Sequence, residues 1–460
     1  MPLTTTKLKP SIGRFAMLAM AVGIIVGPWM PQMPFWFSLT GPSIALVFLI
    51  ITVLSIPIIL SYSELTAMLP FAGGAYNFAR NAFGSIPAWV TGWCVILLYV
   101  IATAFMAPAT ARMFQAFVGW DHLSEMTVAL SGIAILFVFS FLNTFSVSAS
   151  ARLQTIMVLA MIVVGVTTFL WFFNSGQWSL NNVTPFFTSG LTGFTIAVGI
   201  MFVMVIGFDC VPQLAEEANY PERDMVWIML GAVLFSQILF ALICLANAGM
   251  MPTDWIVNQV VVSPEIARVL AGDWAAAVMN FAGLLATLTC LNGFMLAAAR
   301  LVFAMGRARV LPPLLGQTNR YDSPYAAVWL VFLVCAVVVL VGGENWLETL
   351  FVGAAFAAGL VYVLTCMSAV ALRIKQPHWP RPVRLPGGIA IPGLATLISI
   401  GVTVAVAFGM SRTSWTIVSS WMAFGVVVYA SMAMLRRTRP GYEEIAPFTP
   451  ADIEVAANKY

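Results

Sequence analysis

The chain has 460 residues, 61% of them hydrophobic, and its 21 Lys and Arg and 18 Asp and Glu make up only 8%. A soluble domain carries about 25% charged residues, so a water-soluble enzyme and a disordered chain are excluded. A net charge of +3 is too small for a nucleic-acid-binding role.

A membrane helix needs about 20 residues with few or no charges, so the charge-free stretches mark where helices cross. Residues 15–63 carry no charge, enough for two spans with a turn near Thr40–Pro42. Residues 81–111 and 126–151 hold one span each, and 153–208 hold one span and most of a second. Residues 225–253, 274–299, 323–343, 349–372, 385–411 and 413–435 complete the series. These stretches predict twelve helical spans, because barrel strands are about 10 residues long and alternate polar with apolar. The expected organisation is a cytoplasmic N-terminus (1–14), a transmembrane domain (15–435) and a polar cytoplasmic tail (436–460). The loop at about 252–273 is expected to hold a short amphipathic helix across Pro264–Leu270. No cleaved signal peptide is expected.

Twelve spans put both termini on one side. With that side cytoplasmic, only Arg112, Arg268 and Arg412 of the 21 basic residues fall outside, as the positive-inside rule demands of a cell-membrane protein. All six Cys fall in predicted spans and none in an outside loop, so disulfides and zinc are not expected. Nothing in the sequence calls for a cofactor.

Two spans are interrupted. The first reads Gly23-Ile24-Ile25-Val26-Gly27-Pro28-Trp29 at its middle, and the sixth reads Val203-Met204-Val205-Ile206-Gly207-Phe208-Asp209-Cys210-Val211-Pro212. Proline lacks an N–H and clashes one turn back, and freed backbone groups survive in a membrane only where they line protein or a wet cavity. Paired Gly/Pro interruptions in two halves point to a transporter site built by inverted repeats. Repeat one is expected at about 15–175, repeat two at about 192–375, and two extra helices at about 385–435.

Asp209 is the deepest predicted ionisable residue, and such a residue is functional by default. It could hold a substrate ammonium, carry a proton, or cap the following half-helix. Asp209→Asn is expected to abolish accumulation, and wild-type-like uptake across pH would show that its charge is not essential. Glu64, Glu216 and Glu217 lie at the inner ends of spans two and six. They are expected to form an inner gate or fold-locking ion pairs with Arg80, Arg152 or Arg300.

These residues resemble the amino acid–polyamine–organocation superfamily of secondary transporters over nearly the whole chain. Gly207-Phe208-Asp209, Ala215-Glu216-Glu217 and Asn219-Tyr220-Pro221-Glu222-Arg223-Asp224 are similar to the GFD…AEE…NPxRD stretch of cationic amino acid transporters. Glu64-Leu65 with Gly73-Gly74-Ala75-Tyr76, Ala299-Arg300-Leu301 with Gly306-Arg307, and Arg381-Pro382-Val383-Arg384-Leu385-Pro386-Gly387 match three further signatures in order. The resemblance implies an all-α, LeuT-type 5+5 inverted repeat with broken helices one and six and alternating access around the breaks. It implies that Val26, Gly27, Pro28 and Trp29 line the substrate pocket. Val203, Ile206, Gly207, Phe208 and Asp209 would form the facing wall, with Tyr99 nearby.

The chain departs from the family pattern twice. Gly27-Pro28-Trp29 stands where Gly-Ser-Gly is common, and Met161 stands where some proton-coupled members have a lysine. With Asp209 acidic and Trp29, Tyr99 and Phe208 nearby, an organic amine is a second candidate beside an amino acid, since aromatic faces attract ammonium. Coupling stays open between protons through Asp209 or Glu64, exchange, and a Na⁺ site at Thr287 and Thr289 with Asn292. A homodimer stays open as the assembly.

Three other classes compete. A membrane enzyme needs a nucleophile with a base or a metal cluster, but the only histidines are His122 and His378, and no HExxH, GxSxG or GxxxxGKS is present. A channel needs a filter or charged rings, and neither is visible. A sensor with a transporter fold would be expected to carry a signalling domain, which the short tail lacks.

Overall fold

Among the described residues every regular element is helical, apart from one isolated bridge between Ile12 and Ala218. The structure, a computed structural model, describes residues 8–120, 123–145 and 147–457; the side chains of 147, 148, 343–349, 351, 456 and 457 are outside that description. The expectations that rest on Lys7, His122 and Lys459 therefore fall outside the described residues.

The chain opens with α1 (Arg14–Val26) and α2 (Trp29–Thr40), which flank the first interruption. A short 3₁₀ turn, Gly41–Ser43, then leads into α3 (Ile44–Met68). Next come α4 (Gly74–Phe83), α5 (Ser85–Val118), α6 (Glu125–Phe145) and α7 (Val147–Phe173). The second half runs through α8 (Gly190–Met201), α9 (Met225–Met250), α10 (Thr253–Val257), α11 (Val262–Ala271) and α12 (Asp273–Arg307). It closes with α13 (Tyr325–Lys375), α14 (Ala390–Gly409), α15 (Arg412–Thr438) and α16 (Pro450–Ala457). Helix is the form these apolar stretches take because lipid supplies no hydrogen-bond partner for an open backbone.

Among the described residues, eleven stretches are long and apolar enough to cross a membrane. Trp29–Met68 counts among them as one stretch of 40 residues, although it holds both α2 and α3, and α1 falls short with 13 residues. The sequence-based count of twelve joins α1 to α2 and separates α3. The expected break between 343 and 349 is instead helical, so α13 carries two apolar stretches, Tyr325–Gly342 and Val352–Lys375, in one element. The amphipathic helix expected at Pro264–Leu270 is α11.

Two stretches of the chain, α3–α5 and α9–α12, share helix lengths and a corner. α4 has 10 residues, ends at Gly84 (φ 88°, ψ −166°), and leads into the 34 residues of α5. α11 also has 10 residues, ends at Gly272 (φ 87°, ψ −171°), and leads into the 35 residues of α12. The preceding helices, α3 and α9, have 25 and 26 residues. Only glycine adopts that backbone conformation cheaply, so the same corner is built twice. α5 and α12 form the centre, with 83% and 78% of their most apolar windows buried. α14 and α15 lie outside, with 28% and 17% buried, and present apolar side chains outward, as a lipid solvent favours.

Both chain ends pack on one face, called here the terminal face. Ser11 and Ile12 N–H donate to the Glu217 carbonyl at 2.8 and 2.9 Å. In the tail, Ile445 N–H donates to the Ala308 carbonyl, Arg80 donates to the Ile445 carbonyl, and Phe448 stacks on Phe71 with centroids 3.8 Å apart.

Candidate functional site

The sixth span loses its α-helix at Met201 and continues as 3₁₀ turns, Phe202–Val205, Phe208–Cys210 and Pro212–Glu217. Between the first two, Ile206 is extended (ψ 134°) and Gly207 has φ 136°. A Cβ at Gly207 would lie 2.5 Å from Ile25 Cγ1 and 3.1 Å from Ile25 N, so glycine is required by conformation and by the close approach of α1. A 3₁₀ stretch inside a helix often marks a hinge.

The side chain of Asp209 holds this turn. Its Oδ1 accepts from Gly207 N–H at 2.8 Å, and its Oδ2 accepts from the Tyr99 hydroxyl at 2.9 Å. The same hydroxyl reaches the Asp209 carbonyl at 3.1 Å. From α9, Gln237 Nε2 donates to the Met204 carbonyl at 2.6 Å. Phe208 points the other way, edge-on to Tyr62 at 5.3 Å and stacked on Tyr362 at 5.7 Å.

The first interruption is much milder. Gly27 (φ −46°, ψ −42°) and Pro28 (φ −79°, ψ −1°) both stay in the right-handed helical region. Gly27 N–H still donates to Gly23 O at 3.1 Å, and Gln32 N–H donates to Pro28 O at 3.0 Å. Gly27 faces α12: a Cβ there would run into the Cys290 side chain and lie 2.9 Å from Ala286 O. Gly23, one turn earlier, approaches Thr289 in the same way, so this Gly-x-x-x-Gly pair brings two backbones close, as small residues do in membranes. The Trp29 ring reaches toward Gly165 of α7 rather than the turn in helix six.

Between the two interruptions lies a small cavity of about 40 Å³. Ile24, Ile25, Pro28 and Gln32 line it from α1 and α2, and Val203, Met204 and Ile206 from helix six. Leu98, Ile101, Ala102, Phe105 and Met106 close it from α5, with Cys290, Phe294 and Ala354 behind. Gln32 is the one amide in this apolar lining, and its Oε1 accepts from Trp36 Nε1 at 3.3 Å. Gln32 and Phe105 also line a second cavity of about 620 Å³, bounded by residues of the end of α5 and the start of α6. The Arg112–Glu125 pair stands among its lining residues.

On the terminal face three buried carboxylates are paired with arginines. Glu217 takes a bidentate pair from Arg300 at 2.9 and 3.0 Å, with both side chains almost fully buried. Glu216 takes one from Arg307 at 2.9 and 2.8 Å and also accepts from Leu8 and Ala72 N–H. Glu64 pairs with Arg373 and stands 3.6 Å from Arg381, so its partners are not Arg80, Arg152 or Arg300. Arg80 instead faces Glu444 of the tail at 3.6 Å, and Arg152 is exposed. Buried pairs of this kind are costly to break once one partner is removed.

The two threonines of α12 differ. Thr287 bonds back to its own helix at Leu284 O, 3.0 Å. Thr289 reaches both Ala286 O at 2.7 Å and Gly23 O of α1 at 3.2 Å. Asn292 lies in a polar network with Asn143, Ser150 and Gln154, and Gln154 Nε2 joins it to the Thr289 carbonyl at 2.9 Å.

Of the residues expected at the pocket, Pro28, Val203 and Ile206 line the inner cavity, whereas Val26, Gly27, Trp29, Tyr99, Gly207, Phe208 and Asp209 do not. Tyr99 and Asp209 act on the turn instead. The stripe Leu98, Ile101–Ala102, Phe105–Met106 was missed, although its three- and four-residue spacing marks one helix face. Gln32, four residues after Pro28, was missed for the same reason.

A family model for amino acid permeases matches residues 12–432. The chain belongs to the amino acid permease family. It is a multi-pass membrane transporter and not an enzyme. The permease is similar to a branched-chain amino acid permease, BcaP, of Bacillus subtilis, 26% identical over 92% of each chain. It is similar to a methylthioribose transporter of the same organism, 22% identical over 92% of this chain and 93% of that one. It also resembles cationic amino acid transporter 7 of Arabidopsis thaliana, 27% identical over 59% of this chain and 50% of that one.

Proposed function

We propose that this permease is a secondary transporter that moves amino acids with apolar side chains across the cell membrane by alternating access. The observation that carries this reading is the cavity between the two interruptions, whose lining is aliphatic and aromatic apart from Gln32 and the Cys290 thiol. Apolar pockets with a few placed polar groups select apolar ligands; at about 40 Å³ this one is contracted and has to widen to admit an amino acid. The relative named a branched-chain amino acid permease, aligned end to end, supports the same choice. The start of α2 and the unwound backbone near Ile206 supply the dipole ends that favour a carboxylate and an ammonium.

Asp209 serves in this reading as the cap of the helix-six turn. Both of its oxygens are engaged by Gly207 and Tyr99, which weighs against an organic amine as the solute. With both termini in the cytoplasm and twelve spans, the described conformation is closed to the cytoplasm and open outward. Coupling runs by protons or exchange. Na⁺ is the second reading, supported by the oxygens of Thr289, Gly23 and Ala286 that meet between α1 and α12.

Accumulation of labelled leucine in proteoliposomes tests this under an inward pH gradient, an inward Na⁺ gradient, or neither. Excess isoleucine or valine is expected to abolish the signal while lysine and putrescine leave it intact. Competition by amines without competition by isoleucine overturns the substrate assignment. The gradient that drives accumulation decides the coupling.

A further inference from the structure

We propose that a basic recess on the terminal face, between the end of α13 and the start of α14, binds the phosphate of an anionic phospholipid headgroup. The recess has a volume of about 400 Å³ and is lined by Arg373, Arg381, Arg384 and the loop from Leu385 to Ile389. Three guanidiniums stand there against one carboxylate, Glu64, which lies beneath them and is engaged by Arg373 and Leu385 N–H.

The charges are unevenly satisfied. Arg381 spends its Nη atoms on the carbonyls of Leu372, Gln376, Pro377 and Trp379. Arg384 is exposed and has no hydrogen bond or ion pair among the described residues. Burial holds the Arg381 pKa below the usual arginine range, Glu64 opposes this, and Arg373 and Arg384 push it further down. The recess thus keeps a positive field that its own residues do not neutralise.

Gly387 (φ 74°) and Gly388 (φ 59°) turn the chain into the 20-residue α14, whose N-terminal end borders the recess. Guanidiniums beside a helix N-terminus form a phosphate site, and basic pockets between membrane helices on the cytoplasmic side take lipid headgroups. Ile389 in its lining is 51% exposed, and Ile374 and Leu394, on the helices that flank it, are 64 and 52% exposed. Those apolar side chains give an acyl chain a place beside the headgroup, which favours a lipid over a soluble phosphate. Because Arg373 and Arg381 also hold Glu64, the lipid would brace the closure of the terminal face.

The test is lipid retention by the full-length purified protein, read by native mass spectrometry after exchange into phosphatidylglycerol or phosphatidylcholine micelles. A parallel thermal-shift arm adds inorganic phosphate. Wild type is expected to retain phosphatidylglycerol, and Arg384→Ala to retain it about five- to tenfold less. Arg384→Lys is expected to keep most of it, and Arg437→Ala, a charge removed elsewhere on the same face, to match wild type. Equal retention of both lipids, or an equal loss in Arg437→Ala, overturns the site. Stabilisation by inorganic phosphate that matches the lipid's overturns the lipid as its ligand. None of these outcomes depends on which solute is transported.

Discussion

The interruptions in helices one and six look alike as sequence and differ as structure. Each is a glycine followed by a proline near mid-span. At Gly27-Pro28 both residues keep right-handed helical angles and the ladder resumes within one turn. At Ile206-Gly207 the backbone leaves the helix altogether and is held by Asp209, Tyr99 and Gln237. The difference teaches that a glycine can serve two ends. Gly207 supplies a conformation, whereas Gly27 supplies room, letting α1 touch α12.

The sharpest way to break this contrast is to remove the clasp on helix six. Asp209→Ala orphans Gly207 N–H and leaves the Tyr99 hydroxyl only the carbonyl of residue 209, and transport is expected to fall about tenfold, since an orphaned buried donor costs about 1–3 kcal/mol. Asp209→Asn keeps an oxygen for Gly207 and is expected to retain measurable uptake. Loss as complete as in the alanine variant would make the charge itself essential.

A smaller effect is expected on the helix-one side. Gly27→Ala forces a methyl into Cys290 and should destabilise the protein by about 1–3 kcal/mol, as overpacking does. A lowered thermal midpoint, partly recovered in Gly27→Ala/Cys290→Gly, would identify a packing glycine. No recovery would point to the backbone instead. Between the two interruptions, Gln32→Leu removes the one amide from the inner cavity. It is expected to weaken apparent affinity about two- to tenfold, the worth of a neutral hydrogen bond, with maximal rate preserved. A changed rate with unchanged affinity would place Gln32 in the motion. The smallest effect is expected far from both, where Phe448→Ala removes a ring stacked on Phe71. Stability should fall by about 0.5–1.5 kcal/mol, the worth of such a pair, while uptake stays near wild type because the ring is far from both interruptions.

The span pattern was legible because charges are too costly for lipid and so fall at helix ends. The turn at Gly207 was legible too, because Gly, Asp and Pro cluster there. The direction in which side chains point was not. Trp29 and Pro28 are neighbours, yet the ring of one reaches α7 and the other lines the cavity. Ion-pair partners were equally hidden, since Glu64 finds Arg373, 309 residues away, through the packing of α13 on α3. The continuity of α13 was not legible, because the charges at Glu344 and Glu348 look like a span boundary in sequence although the backbone there is helical.

The most direct test compares labelled-leucine uptake by Gly207→Ala and Pro28→Ala in matched proteoliposomes, with folding checked by size-exclusion profile. If the helix-six turn is the working hinge and the helix-one kink is not, Pro28→Ala keeps most of the wild-type rate and Gly207→Ala loses it. Retained uptake in Gly207→Ala together with its loss in Pro28→Ala would contradict that assignment.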